Sequence, residues 1–214
     1  MANIPAILDV VLTNEGGYNC AFTGSGETYR GIDRKYSQQW AGWPIIDAAK
    51  RMGRIDASCK KNEQDYYTPT LNALTKQWYT AKLQTAGNLN KIQNQTLANF
   101  VADFWWHKPA RAVAIANMVA LQIQQQEAES FYYMGLQVKT DVNRFTDSVI
   151  EVMNLYADLF YKYLRQYRVQ YYNNPQSFSK SWTEKFTTSL RGLLIRTYSF
   201  PSLIIDLSSL TNLF

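Results

Sequence analysis

The chain has 214 residues, 46% of them hydrophobic and 18% charged, which excludes an intrinsically disordered protein and leaves room for one large domain or two small ones. Its formal net charge of +5 favours a polyanionic partner such as a wall polymer, a nucleic acid or an anionic membrane, or simply a solvated basic face. Two cysteines, Cys20 and Cys59, exclude a disulfide framework and a Cys-x-x-Cys zinc site, and leave room for a single bridge.

The N-terminus "MANIPAILDVVLTNE" lacks a basic first segment, and Asp9 interrupts its apolar run. A secretory signal is therefore not expected, and a role outside the producing cell would need another route of export or release. No apolar run approaches the roughly 18 residues of a membrane-spanning helix. Residues 4–15 place Ile4, Leu8, Val11, Leu12 and Glu15 on one helical face, and Gly16 and Gly17 end that helix. Residues 18–32 hold Gly24, Gly26 and Gly31 among Thr, Ser and Tyr, a composition of turns and short strands.

Helices follow. "PIIDAAKRMGRI" predicts a short one from Pro44, and "DYYTPTLNALTKQWYTAKL" one from Pro69, since proline suits a first turn. "NQTLANFVADFWW" aligns Leu97, Phe100, Val101 and Phe104, and "KPARAVAIANMVALQIQQQ" starts again at Pro109. "TDSVIEVMNLYADLFYKYLRQYRVQYY" reads as one long helix facing inward through Val149, Ile150, Met153, Tyr156, Ala157, Phe160 and Leu164. "NNPQ" breaks it. A last helix is expected over 177–200, and Pro201 opens a tail, 201–214. The fold class expected is mainly α, with a small β or turn region after the first helix.

Glu15 is the candidate catalytic group. A carboxyl at the C-terminal end of a helix meets the negative end of the macrodipole, which disfavours ionisation by about 0.3–1 kcal/mol. Burial beside aromatic groups acts in the same direction. A carboxyl kept protonated near neutral pH is what a general acid requires. Glycosidases that use two carboxyls need a second one across the scissile bond. Glu27 is the first acid after Glu15, Asp33 follows, and the hydroxyl of Thr28 suits holding a water. In a strand Glu27 and Thr28 face opposite sides, so one of the two lines a cleft with Glu15.

The run Glu15-Gly16-Gly17-Tyr18, a glycine-containing turn, and Thr28-x-x-Gly31-Ile32 together resemble the N-terminal motif of glycoside hydrolase family 108, the lysozyme-like N-acetylmuramidases of bacteria and bacteriophages. "NFVADFWWHKPARAVAIANMVALQ" and "KFTTSLRGLLIRTYSF" are similar to that family's helical, peptidoglycan-binding-like region, with Arg196 retained and Leu193 where Trp is usual. The resemblance spans residues 3–200, and its first motif is the specific one. It implies a lysozyme-like helical domain over 1–200, with 1–92 as the catalytic half and 93–200 as the wall-binding half. It also implies an endolysin-type activity that cleaves the glycan of the cell wall, with Glu15 as the essential acid and no metal or cofactor. The loop "NCAFTGS" departs from the family by carrying no acid, and "KTDVNRFT" lacks the usual Asp-Gly turn. Two readings stay open: an enzyme with one acid, a water on Thr28 and a role for Glu27, or a degenerate, non-catalytic peptidoglycan-binding component of a virion or secretion apparatus.

Tyr18, Tyr29, Trp40 and Trp43 lie near the motif and are the candidate sugar-stacking residues. Trp105 and Trp106 diverge by about 100° on a helix, so one is expected in the core. His107, the sole histidine, precedes Pro109 and suits capping or packing; no Gly-x-Ser-x-Gly motif accompanies it. A nucleic-acid binder, suggested by "YKYLRQYRVQYY", ranks last, because that segment equally makes a solvated basic helix face.

Overall fold

A computed structural model describes residues 1–13, 15–22, 26–58, 63–174, 194 and 197–200. The fold is mainly helical, with a small antiparallel sheet after the first helix. The chain forms two compact units, Ile4–Thr85 and Met1–Asn3 with Ala86–Phe214.

In the first unit, α1 (Ile4–Thr13) buries Ile7, Leu8, Val11 and Leu12. The sheet has strands β1 (Tyr18–Phe22), β2 (Gly26–Tyr29), β3 (Ile32–Asp33) and β4 (Glu63–Gln64), in the order β3-β2-β1-β4. Gly17 is required by that sheet, because a side chain there would collide with the backbone carbonyl of Gln64 on β4. Helices α2 (Trp43–Arg51) and α3 (Pro69–Thr85) complete the unit, both with proline in the first turn, as expected. Cys20 is held in a disulfide. Cys59, the other cysteine of the sequence, lies outside the described residues.

In the second unit, α4 (Gln95–His107) is buried along most of its length, from Leu97 to Trp105. The Asn94 side chain caps it by accepting from the Leu97 N–H at 2.9 Å. Helices α5 (Pro109–Gln126) and α8 (Ala157–Asn173) pack on it. Asp103 of α4 and Arg168 of α8 form a fully buried ion pair, 2.7 Å apart. The guanidinium of Arg168 lies 4.8 and 5.0 Å from the rings of Phe100 and Phe104. Trp105 is buried and Trp106 partly exposed, as the helical geometry requires. His107 Nδ1 donates to the Asp103 carbonyl at 2.9 Å, a packing role.

Two expectations are corrected here. The single long helix is two, α7 (Asp147–Leu155) and α8, broken at Tyr156 with φ −125° and ψ 42°. The Tyr156 ring stacks on Phe131 of α6 (Ala128–Met134), a helix the sequence pattern did not announce. The expected helix over 177–200 falls outside the described residues except at 194 and 197–200, as does the whole tail 201–214. Among the described residues, no helix is long and apolar enough to cross a membrane, and no group of three or more His, Cys, Asp or Glu could hold a metal ion.

Candidate active site

Helix α1 stops at Thr13, so Glu15 lies just past its end rather than in its last turn. The Glu15 N–H still reaches back to the Leu12 carbonyl at 3.2 Å, and the side chain is half-buried. The same carbonyl receives a stronger partner. Arg30 Nη2 donates to Leu12 O at 2.8 Å, placing a cation on the negative end of the helix.

Arg30 and Gly31 form the two-residue loop between β2 and β3. Their φ values are +46° and +75°, the left-handed pair that a tight hairpin turn of type I′ demands. Glycine enters that region freely, whereas an arginine there costs about 1–2 kcal/mol. Four hydrogen bonds hold the strained residue. Its N–H donates to Gly17 O at 2.9 Å, and its side chain donates to Leu12 O and, at 3.3 Å, to Asn72 Oδ1 on α3. Its carbonyl accepts from the Tyr79 hydroxyl at 2.5 Å. Strain held in this way by surrounding structure is characteristic of functional sites.

Gly31 faces the Glu15 carboxyl. A Cβ at position 31 would stand 2.7 Å from Glu15 Oε2 and 2.8 Å from the Tyr79 hydroxyl oxygen. The carboxyl, the phenol and the bare glycine backbone thus converge on one point. Glu15 has a defined seat made by α1, the β2–β3 turn and α3.

Thr28 lies on β2 directly opposite Asn19 of β1 and Asp33 of β3. The three half-buried polar side chains therefore form a row on one face of the sheet. Glu27 takes the other face, beside α2. Its carboxylate accepts from Tyr18 Oη at 2.8 Å, from Arg34 Nη1 at 2.6 Å and from Lys50 Nζ. Arg34 also makes a two-pronged contact with Asp47, 2.7 Å on each side. Burial raises the carboxyl's proton affinity, but the bonds from Lys50, Arg34 and Tyr18 outweigh it and hold Glu27 below the usual glutamate range. Through these bonds Glu27 ties the hairpin to α2.

The aromatic candidates are corrected as well. Tyr18, Tyr29, Trp40 and Trp43 are 1, 0, 7 and 2% exposed, which leaves no face for a sugar ring. Tyr29 stacks on Trp40 at 5.6 Å, and Trp40 meets Trp43 edge-on at 5.1 Å. Their polar tips find internal partners, Tyr29 Oη donating to Tyr66 O at 3.0 Å and Trp43 Nε1 to Ser37 O at 2.8 Å. They are the core under the hairpin. Burial of Tyr29 pushes its phenol up to about 12, so it stays neutral.

Sequence reasoning missed Tyr79, Asn72 and the part played by Arg30. Tyr79 reaches Arg30 across 49 residues of sequence, and in the chain it is one aromatic of a helical stripe. The signal that could have found the seat was Gly31, within the Thr-x-x-Gly-Ile run.

No protein-family profile matches the chain, and no curated protein matches it. Among solved structures it is similar to SagA of Brucella abortus, with 18% identity and a TM-score of 0.48 over 92% of this chain and 94% of that one.

Proposed function

We propose that this chain is a peptidoglycan-cleaving glycoside hydrolase, a lysozyme-like N-acetylmuramidase with Glu15 as its general acid. The observation that supports this reading is the seat of Glu15 against Gly31 and Tyr79, fixed by a strained turn. Glu15 protonates the bridging oxygen between N-acetylmuramic acid and N-acetylglucosamine as the bond to the anomeric carbon breaks. A water oriented by the Thr28 hydroxyl bonds to that carbon. In this reading Asp33, the cross-strand partner of Thr28, takes the proton that the water gives up, the part first expected of Glu27.

The test compares wild type with Glu15→Gln, which keeps the shape and lacks the proton. Release of reducing ends from purified sacculi falls at least about 100-fold in the variant if Glu15 is the acid. Equal release by both proteins refutes the mechanism. The engagement of Glu27 in ion pairs favours one other reading, a wall-binding protein with a degenerate site. Its signature is retention on sacculi with no reducing sugar released by the wild type.

A further inference from the structure

We propose that Tyr79 is a positioning residue that holds the Glu15 carboxyl in its protonated form by offering it a lone pair and no proton. The inference rests on the reading of Glu15 as an acid and supplies the means by which it stays one. A phenol has one proton. That of Tyr79 goes to the Arg30 carbonyl, 2.5 Å away. What the hydroxyl then presents toward Glu15 is oxygen density. The Tyr79 oxygen and Glu15 Oε2 flank the same point over Gly31, at 2.8 and 2.7 Å. An ionised carboxylate in this position faces an acceptor with an acceptor. A protonated carboxyl has a hydrogen to donate, and hydrogen bonding to the neutral form raises proton affinity. Tyr79 is fully buried, so solvent does not compensate the ionised state on that side.

Several neighbouring ionisable groups have partners of their own. Lys76 of α3 pairs with Asp9 of α1 at 2.9 Å. Tyr18 of β1 donates to Glu27, which also engages Arg34 and Lys50. Tyr67 donates to Asp65 at 3.2 Å, and Lys82 lies 5.5 Å over the Trp78 ring. The Arg30 guanidinium, bound to Leu12 O and Asn72, favours the ionised carboxylate and opposes Tyr79. Tyr79 must outweigh it for the acid to persist at neutral pH.

The experiment is a titration of full-length protein labelled with 13C at the glutamate carboxyls, the Glu15 resonance being assigned by its loss in Glu15→Gln. In the wild type Glu15 titrates above the ordinary glutamate value of about 4.3. In Tyr79→Phe its midpoint falls by about one unit, a tenfold loss of the protonated fraction at pH 7. The rate of sacculus cleavage then falls about tenfold at pH 7 and returns toward wild type near pH 4, whereas a merely structural defect lowers it equally at both. A wild-type midpoint in the ordinary range overturns the proposal even if Tyr79→Phe fails to fold, and so does an unchanged midpoint in a folded Tyr79→Phe. A shifted midpoint in a protein that cleaves no sacculi upholds the seat and refutes the hydrolase. An unshifted midpoint with activity lost in Glu15→Gln does the reverse.

Discussion

Gly31→Ala separates a site from a turn. The substitution has two costs that differ in kind. The first is backbone strain, since φ at Gly31 is +75° and an alanine there loses about 1–2 kcal/mol. In a chain of 214 residues that lowers the melting temperature by about 2–8 °C. The second cost is local. The new methyl would lie 2.7 Å from Glu15 Oε2 and 2.8 Å from the Tyr79 hydroxyl, closer than van der Waals contact, so the carboxyl must move by several tenths of an ångström or more. A misplacement on the order of 1 Å at a reacting group costs about 100-fold in rate. Gly53→Ala is the control: φ there is +68°, and nothing lies within 4 Å of the added carbon, so it carries strain without collision. Melting curves of the two variants should fall together within about 1–2 kcal/mol. Their rates on purified sacculi should not: Gly53→Ala keeps wild-type activity and Gly31→Ala loses about 100-fold. If Gly31→Ala folds and cleaves within about threefold of Gly53→Ala, the carboxyl is not held against this turn, and the site built on it is refuted.

Two further outcomes follow from charges that are structural rather than catalytic. Asp47 is held low chiefly by the bonds from Arg34, and Glu27 is held low because Lys50, Arg34 and Tyr18 outweigh burial. Carboxyls depressed in the folded state contribute stability that is complete above the unfolded value of about 4.3 and is lost as pH falls through their folded values. Urea midpoints should therefore drop below pH 4 in the wild type. In Glu27→Gln they should start about 1–3 kcal/mol lower at pH 7 and show less of that drop; an unchanged pH dependence would refute the network. In the second unit, Arg168→Met removes the cation 2.7 Å from the buried Asp103 and should cost about 3–5 kcal/mol by urea unfolding, while the double variant Arg168→Met with Asp103→Leu recovers much of that loss. No recovery would show that the pair is not the cause.

The starts of α3 and α5 were legible in the sequence because proline announces a first turn, whereas the end of α1, read at Glu15 from the two glycines after it, falls at Thr13. The break at Tyr156 was not. The inward stripe from Val149 to Leu164 keeps its period through it, and the ring that receives Tyr156 belongs to Phe131, far back in the chain. Glu15 stood out as an acid at a place that disfavours one. Its partners did not, because they come from a turn and from a helix that only folding brings together. The aromatic residues near the motif misled for a related reason. Tyrosine and tryptophan suit a core or a sugar groove equally, and only burial decides between them. Nor does net charge report a basic face directly: Arg34 and Lys50 are ion-paired within the first unit, and Arg168 is buried in the second.

The geometry also changes the physical reason for an acid at position 15. A helix end carries about half a negative charge, and its effect fades within a turn. Here a whole guanidinium sits on that end, bonded to Leu12 O at 2.8 Å. That cation offsets the negative end of the helix, so the macrodipole alone no longer gives position 15 a reason to stay protonated. A general acid at this position then depends on two local effects, partial burial and the neighbouring phenol oxygen. The turn at position 30 is needed all the same, since its backbone carbonyl accepts the Tyr79 hydrogen bond and so turns the phenol into an acceptor. One strained residue thus closes the helix, sets the turn that presents Gly31 and orients the hydroxyl beside Glu15. Only the first of these tasks uses the guanidinium, and it is the reason for an arginine, rather than the more comfortable asparagine or glycine, at a φ of +46°.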